Sequence, residues 1–321
     1  MSGKRIFAWV MVVFGFGLAA YLIYATLQQY TLAEIAQSVR DIPPQRLAAA
    51  LGFAAASYLF LTFFDWAGVR YVHGHLPYPK IALASFLALS IGQSVGLAGL
   101  SSGAIRYRYY AHWGLDAEAV AKIVLLSGVT VGLGLAVLGG VVMLLNPSDT
   151  AQVLGINEAS VLLIGAGSLA FAAAYLVLAA CLNTPLKIWK WTFEMPSWKV
   201  ALMQIVVGTI NFALVSACLR EVMAASADVS YLKAATAFVL ANVAILITHA
   251  PGGLGVLEVT VRHVMGDQAS IGALVAFRVI YFLIPLGIGL PLSLLTEAAF
   301  RISKGSSRDE APTTEAKSPA T

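Results

Sequence analysis

Four stretches of this chain run for 20 residues or more without one charged side chain: Ile6–Leu27, Ile123–Leu145, Ser160–Leu182 and Val200–Leu219. About 20 consecutive apolar residues span the hydrocarbon core of a bilayer as a helix. Composition agrees, since only 11% of the 321 residues are charged and 59% are hydrophobic. A soluble domain carries roughly 25% charged residues, and so few charges cannot cover a water-exposed surface. The chain is therefore expected to be an all-α polytopic membrane protein.

Lys4 and Arg5 precede the first apolar run of 22 residues. A signal-peptide core has about 7–15 residues, so this run is expected to stay as the first membrane helix. Pro43-Pro44 stops any helix before the next span, Leu47–Val69, which carries Asp65. Then follow Ile81–Leu97, a glycine- and serine-rich break at Gly99–Gly103 and a short amphipathic piece, Ala104–Trp113. A long span, Ala119–Leu145, comes next. Its Gly128 and Gly132 form a G-x-x-x-G face suited to close helix approach. After Ser160–Leu182 and Val200–Leu219, the segment Ala234–His249 is broken by Pro251-Gly252-Gly253-Leu254-Gly255. A second short piece, Val256–Met265, and a last span, Ile271–Thr296, complete the series. Residues 1–301 are read as one membrane domain and 302–321 as a disordered cytoplasmic tail.

Two parts of this series share a pattern: a short apolar segment, a glycine-rich break, a half-helix and a long span. Paired, interrupted hydrophobic segments point to a transporter-like repeat with the site between its halves. Positive charge favours the cytoplasmic side. If each broken segment returns to the face it entered from, six helices cross and two re-entrant hairpins enter from opposite faces. With both termini inside, fourteen Lys and Arg lie on the cytoplasmic side: 4, 5, 70, 80, 106, 108, 122, 187, 190, 199, 301, 304, 308 and 317. Four lie outside: 40, 46, 233 and 262. Letting Ile81–Leu97 cross fully would put the basic loop at Lys187–Lys199 outside and damage that bias. The two hairpins would make the halves a weak inverted repeat.

Ionisable residues inside a membrane are costly and are functional candidates by default. Asp65 can serve Arg106 or a cationic head group. Arg106, Tyr110 and Trp113 recur at i, i+4 and i+7 on one helix face, and a guanidinium fork suits phosphate. Arg108 lies beside them. Ser101, Ser102 and Gly103 at one break, and Gly252, Gly253 and Gly255 at the other, are expected to present helix N-terminal N–H groups to an anion. Glu258 can pair with Arg262 four residues on, with Arg278 in the last span, or with an amine. His249 precedes the second break and can titrate. The two cysteines, Cys181 and Cys218, read as buried small apolar residues. The sequence has no metal-ligand spacing, no P-loop and no catalytic triad, so neither cofactor nor metal is expected.

The run Ser57–Gly134 contains Tyr58, Phe64-Asp65-Trp66, Leu76-Pro77-Tyr78, Ala84-Ser85-Phe86, Gly99-Leu100-Ser101-Ser102-Gly103, Ile105-Arg106-Tyr107-Arg108-Tyr109-Tyr110, Trp113-Gly114-Leu115 and Ala121-Lys122. With Pro251–Gly255 and Glu258, it resembles the membrane domain of the bacterial aminoacyl-phosphatidylglycerol synthase/flippase proteins, the multiple peptide resistance factor family. The resemblance implies a translocation domain in a bacterial inner membrane. The chain ends where that family's aminoacyl transferase begins, so no synthase activity is expected. Phospholipids are the implied ligands. Asp65, Arg106, Arg108, the two breaks and Glu258 are the implied site. The alternative reading is a non-transporting membrane subunit that anchors or regulates a lipid-modifying or envelope enzyme. A homo-oligomer or that separate enzyme would be the protein partner, and nucleic acid is not expected to be one.

Overall fold

The computed structural model describes residues 32–95, 98–181, 186–188, 191–193 and 195–309. The expected first helix, Ile6–Leu27, lies outside them. The described chain is helical nearly throughout and forms an all-α polytopic membrane protein. In chain order the helices are α1 (Leu32–Arg40), α2 (Pro44–Tyr71), α3 (Tyr78–Val95), α4 (Ala98–His112), α5 (Ala117–Leu145), α6 (Pro147–Leu154), α7 (Glu158–Cys181) and α8 (Trp198–Met223). They continue as α9 (Tyr231–Thr248), α10 (Val256–Met265), α11 (Ile271–Arg278) and α12 (Ile284–Asp309). A π turn, Val279–Leu283, joins α11 to α12. Among the described residues, the one departure from an all-helical plan is a small antiparallel ribbon, β1 (Leu186–Ile188) with β2 (Trp191–Phe193), in the basic loop before α8.

Local chemistry sets the helix starts. Pro44 sits in the first turn of α2, where its missing N–H costs nothing. The Asp116 side chain accepts from the Ala119 N–H at 2.7 Å to cap α5. Ser230 and Ser270 cap α9 and α11 in the same way. Helix α12 runs to Asp309, past Ile302 where the polar composition begins.

By length and composition, six helical stretches suit a membrane crossing: α2, α5, α7, α8, α9 and the continuous Ile271–Phe300 stretch. The sequence placed α9 differently, as a short entering arm. It is 18 residues long, about 27 Å at 1.5 Å per residue, which is close to the roughly 30 Å hydrocarbon thickness. It nevertheless turns back at its end and packs against α10, as the hairpin reading requires.

The centre of the bundle is the crossing of α2 with α8, flanked by α5. The G-x-x-x-G expectation is corrected here. A side chain at Gly128 or Gly132 would meet nothing within 4 Å, whereas a Cβ at Gly134 would lie 2.5 Å from the Gly208 backbone. Both motif glycines face outward, and the contact between α5 and α8 forms on another face, through Leu126, Thr130 and Gly134. Gln204 bolts this crossing. Its amide donates to the Leu126 carbonyl at 3.1 Å and to Thr130 Oγ1 at 3.0 Å, and its oxygen accepts from Tyr175 OH on α7 at 2.8 Å. Such interhelical polar contacts hold helices together in lipid, where water gives no hydrophobic drive between them. The outer face of α7 is the most open, with Leu163 and Phe171 turned outward. Cys181, expected inside, is exposed at the end of α7, while Cys218 is buried.

Candidate functional site

Two helical hairpins are present: α3 with α4, and α9 with α10. Their reversals differ from the expected ones. In the first, α4 already begins at Ala98, so Ser102 and Gly103 stand a turn inside a helix instead of at its mouth. The small residues serve the contact between the arms. A Cβ at Gly92 would sit 2.8 Å from the Ser102 backbone nitrogen, and Ser101 Oγ donates to the Gly92 carbonyl at 3.0 Å. The Ser101–Gly103 anion-site expectation is therefore overturned, because the N–H groups of Ser102 and Gly103 fall within the helical ladder.

The second reversal is a true break. His249, Gly252, Gly253 and Gly255 all have positive φ, from 53° to 77°, a region glycine occupies without penalty. The short turn Pro251–Gly253 rests against α3, so the tip of the second hairpin touches the entering arm of the first. His249 caps the end of α9, exposed, with Nδ1 3.1 Å from the Ile247 carbonyl.

Each hairpin carries an arginine–carboxylate centre. At the first, Arg106 and Tyr110 of α4 converge on Asp65 of α2, as their i, i+4 spacing anticipated. Arg106 Nε lies 3.0 and 2.9 Å from the two carboxylate oxygens, and Nη2 lies 2.8 Å from Oδ1. Tyr110 OH donates to Oδ2 at 2.7 Å, and Ser127 Oγ of α5 reaches Oδ1 at 3.4 Å. The Asp65 and Arg106 side chains are 0% and 3% exposed. A buried carboxylate needs this many donors, because desolvation of an unpaired charge costs several kcal/mol. Ser127 was not anticipated; its signal was that it and Thr130 are the two hydroxyls in the uncharged run Ile123–Leu145. Trp113 is half-buried beside Tyr110, with ring centroids 6.3 Å apart.

Arg108 does not join this centre. Two residues on from Arg106, it faces the other way, out of the core, and pairs with Glu297 of α12. The ring of His112 stacks on Phe300 at 3.7 Å nearby. The base of the first hairpin is thus fastened to the last helix.

At the second centre, Arg278 ends α11 and pairs with Glu258 of α10 through Nε and Nη2, the latter 2.9 Å from Oε2. Its Nη1 donates to the Gly252 carbonyl and its Nη2 to the Gly253 carbonyl, both at 3.0 Å. Glu258 also accepts from the Gly255 N–H at 3.0 Å. Of the three partners considered for Glu258, the structure selects Arg278. It also inverts the expected polarity of the tip, since Gly252 and Gly253 turn carbonyls towards a cation and Gly255 spends its N–H on Glu258. This pair is less enclosed, with Arg278 and Glu258 side chains 7% and 15% exposed. Arg262 projects to the exposed side of α10. Among the described residues, no three His, Cys, Asp or Glu side chains converge as metal ligands would.

No family model matches the chain. The uncharacterized protein slr0712 of Synechocystis sp. (strain ATCC 27184 / PCC 6803 / Kazusa) is 33% identical to it over 276 residues, which is 85% of this chain and 86% of that protein. The inner membrane protein YbhN of Escherichia coli (strain K12) is 28% identical over 303 residues, 92% of each chain. Identical at one third of the aligned positions over most of both lengths, this multi-pass membrane protein belongs to the family of slr0712.

Proposed function

We propose that the protein binds a phospholipid head group between its two hairpins and carries it across a bacterial inner membrane, with both termini cytoplasmic. The observation that carries this reading is the pair of arginine–carboxylate centres, one on each hairpin, the first buried and the second largely so, with the second tip resting on the first hairpin's entering arm. A carboxylate and a phosphate offer the same two-oxygen edge to a guanidinium. Asp65 and Glu258 thus occupy the positions a lipid phosphate would take on Arg106 and Arg278, and the arrangement is a closed one. Opening it without a replacement anion would cost about 3–5 kcal/mol per broken buried pair, which keeps unliganded opening rare. Once displaced, the two acids are free to meet a cationic head group, as in an aminoacyl-phosphatidylglycerol. The acyl chains stay in the bilayer. The name of the inner membrane relative YbhN supports the location, and the resemblance to the flippase domain supports the cargo. The sequence carries no ATP-binding motif, so transport runs downhill or is driven by an ion.

The test is a proteoliposome assay with a fluorescent phosphatidylglycerol and an impermeant quencher. The native protein should move lipid faster than empty liposomes, and Arg278→Ala and Arg106→Ala should each abolish the excess. Equal rates for native protein and both variants would remove these arginines from the site. The rival reading is a static subunit that anchors or regulates a lipid-modifying enzyme, favoured by the complete enclosure of Asp65 and Arg106. It predicts no transport by the purified protein and a stable enzyme partner on affinity purification.

A further inference from the structure

Arg278 reaches the second tip only because the last span changes face immediately after it. On the C-terminal side, α12 packs on the first hairpin, with Leu286 against Ile91 and Gly289 against Ser90. On the N-terminal side, α11 lies against α8 and points Arg278 at the tip of the second hairpin. One helix therefore serves both hairpins, and the π turn Val279–Leu283 sets the angle between its two halves. In that turn the Ile284 N–H bonds the Val279 carbonyl, five residues back instead of four. One extra residue offsets the faces on either side by about 100°.

The sequence explains why the turn is there. In an α-helix the carbonyl of Tyr281 would take its hydrogen bond from residue 285, and residue 285 is proline, which has no N–H and whose ring clashes with that carbonyl. The displaced carbonyl is served from another helix: Tyr58 OH of α2 donates to it at 3.2 Å. The neighbouring groups brace the same spot. Ser57 Oγ lies 3.2 Å from Tyr281 OH and donates to Asn211 Oδ1 of α8 at 2.7 Å. The Tyr58 ring packs on those of Tyr281 and Phe86, each with centroids 5.6 Å away. Ser57, Tyr58, Asn211 and Tyr281 are all buried, and the hydrogen bonds that link them run to one another and to the Tyr281 carbonyl, not to either ion pair.

We propose that Tyr58 is a positioning residue for the second tip: its hydroxyl satisfies the carbonyl that Pro285 strands, and so holds the π turn that aims Arg278 at Gly252, Gly253 and Glu258. Without that hydroxyl the Tyr281 carbonyl loses the donor that Pro285 cannot supply, and the turn shifts along the helix to bring it to another N–H. Arg278 then rotates off the tip. The role is local to the second hairpin and holds whatever ligand the tip handles.

Amide hydrogen exchange on the full-length protein in lipid nanodiscs tests it, comparing peptides over residues 249–259 and 98–106. Tyr58→Phe keeps the ring and removes only the hydroxyl. It should speed exchange at the second tip about tenfold, the effect of losing one buried hydrogen-bond partner, and leave the first hairpin unchanged. Ser57→Ala should move the same peptide in the same direction by about threefold, and it decides the matter if Tyr58→Phe does not fold. Pro285→Ala restores a donor to the Tyr281 carbonyl, so adding Tyr58→Phe on that background should change nothing further. Unchanged tip exchange, equal gains in both hairpins, or additive effects of Tyr58→Phe and Pro285→Ala would each overturn the assignment.

Discussion

The two hairpins use one device with its polarity exchanged. In the first, the returning arm α4 supplies the arginine and a spanning helix supplies the acid; in the second, the returning arm α10 supplies the acid and the last span supplies the arginine. Their surroundings differ more than their chemistry. The Asp65–Arg106 pair is sealed beneath Tyr110 and Ser127, and the base of its hairpin is tied again through Arg108 to Glu297. The Glu258–Arg278 pair is partly open, and its guanidinium spends two donors on backbone carbonyls of a glycine turn. A buried pair in a rigid setting is a structural pin. A half-open pair that holds a turn of positive-φ residues is a latch. The difference makes the first hairpin the more firmly fixed of the two and the second the more readily opened.

Three substitutions can break or sharpen that contrast. The largest effect belongs to the pin. Asp65→Ala leaves Arg106 buried without its counter-charge and should cost about 3–5 kcal/mol, read as loss of folded protein or a large drop in thermal midpoint in detergent. If Asp65→Ala is tolerated as well as a surface change, the first hairpin is not the more firmly fixed. Next is the latch. Glu258→Gln keeps the shape but removes the charge, and should cost about 1–3 kcal/mol, with faster hydrogen exchange confined to residues 249–259. Spread of that exchange to α3 and α4 would show that the hairpins open as one unit. The smallest effect is at the base. Arg108→Ala removes a pair whose arginine is exposed, worth about 0.2–1 kcal/mol, and should barely move the thermal midpoint, while raising proteolytic cleavage within α12. A larger loss would make the base, and not the Asp65 centre, the main anchor of the first hairpin.

Much of this molecule was legible in advance because membrane insertion acts on local composition. The apolar runs located the spans from Leu47 onward except α9, which was read as an entering arm, and the glycine-rich segments marked both hairpins, though only the second is a true break. The cost of charge in lipid singled out Asp65, Arg106, Glu258 and Arg278. The i, i+4 spacing of Arg106 and Tyr110 placed them together before any partner was known. What failed was the assignment of partners. Gly128 and Gly132 carry the motif spacing, yet Gly134 makes the contact, because rotation of α5 about its axis is set by Gln204 and α8 and not by the motif. Arg108 and Glu297 are 189 residues apart, and nothing local marks them as a pair. Glu297 had one weak signal, an acid at the end of the last apolar span. Pro285 had a stronger one, since a proline inside a helix always strands the carbonyl four residues before it.

The sequence by itself determined that the chain lives in a bilayer, where its second hairpin breaks, and which few charges lie inside, because each of these follows from the free energy of a short segment in hydrocarbon or from a backbone that glycine and proline alone allow. Only the tertiary structure decided what those charges face. A buried arginine must be compensated, but an acid on its own chain and a phosphate from a lipid satisfy it equally well, and the choice between them depends on how rotated and offset helices bring distant residues together.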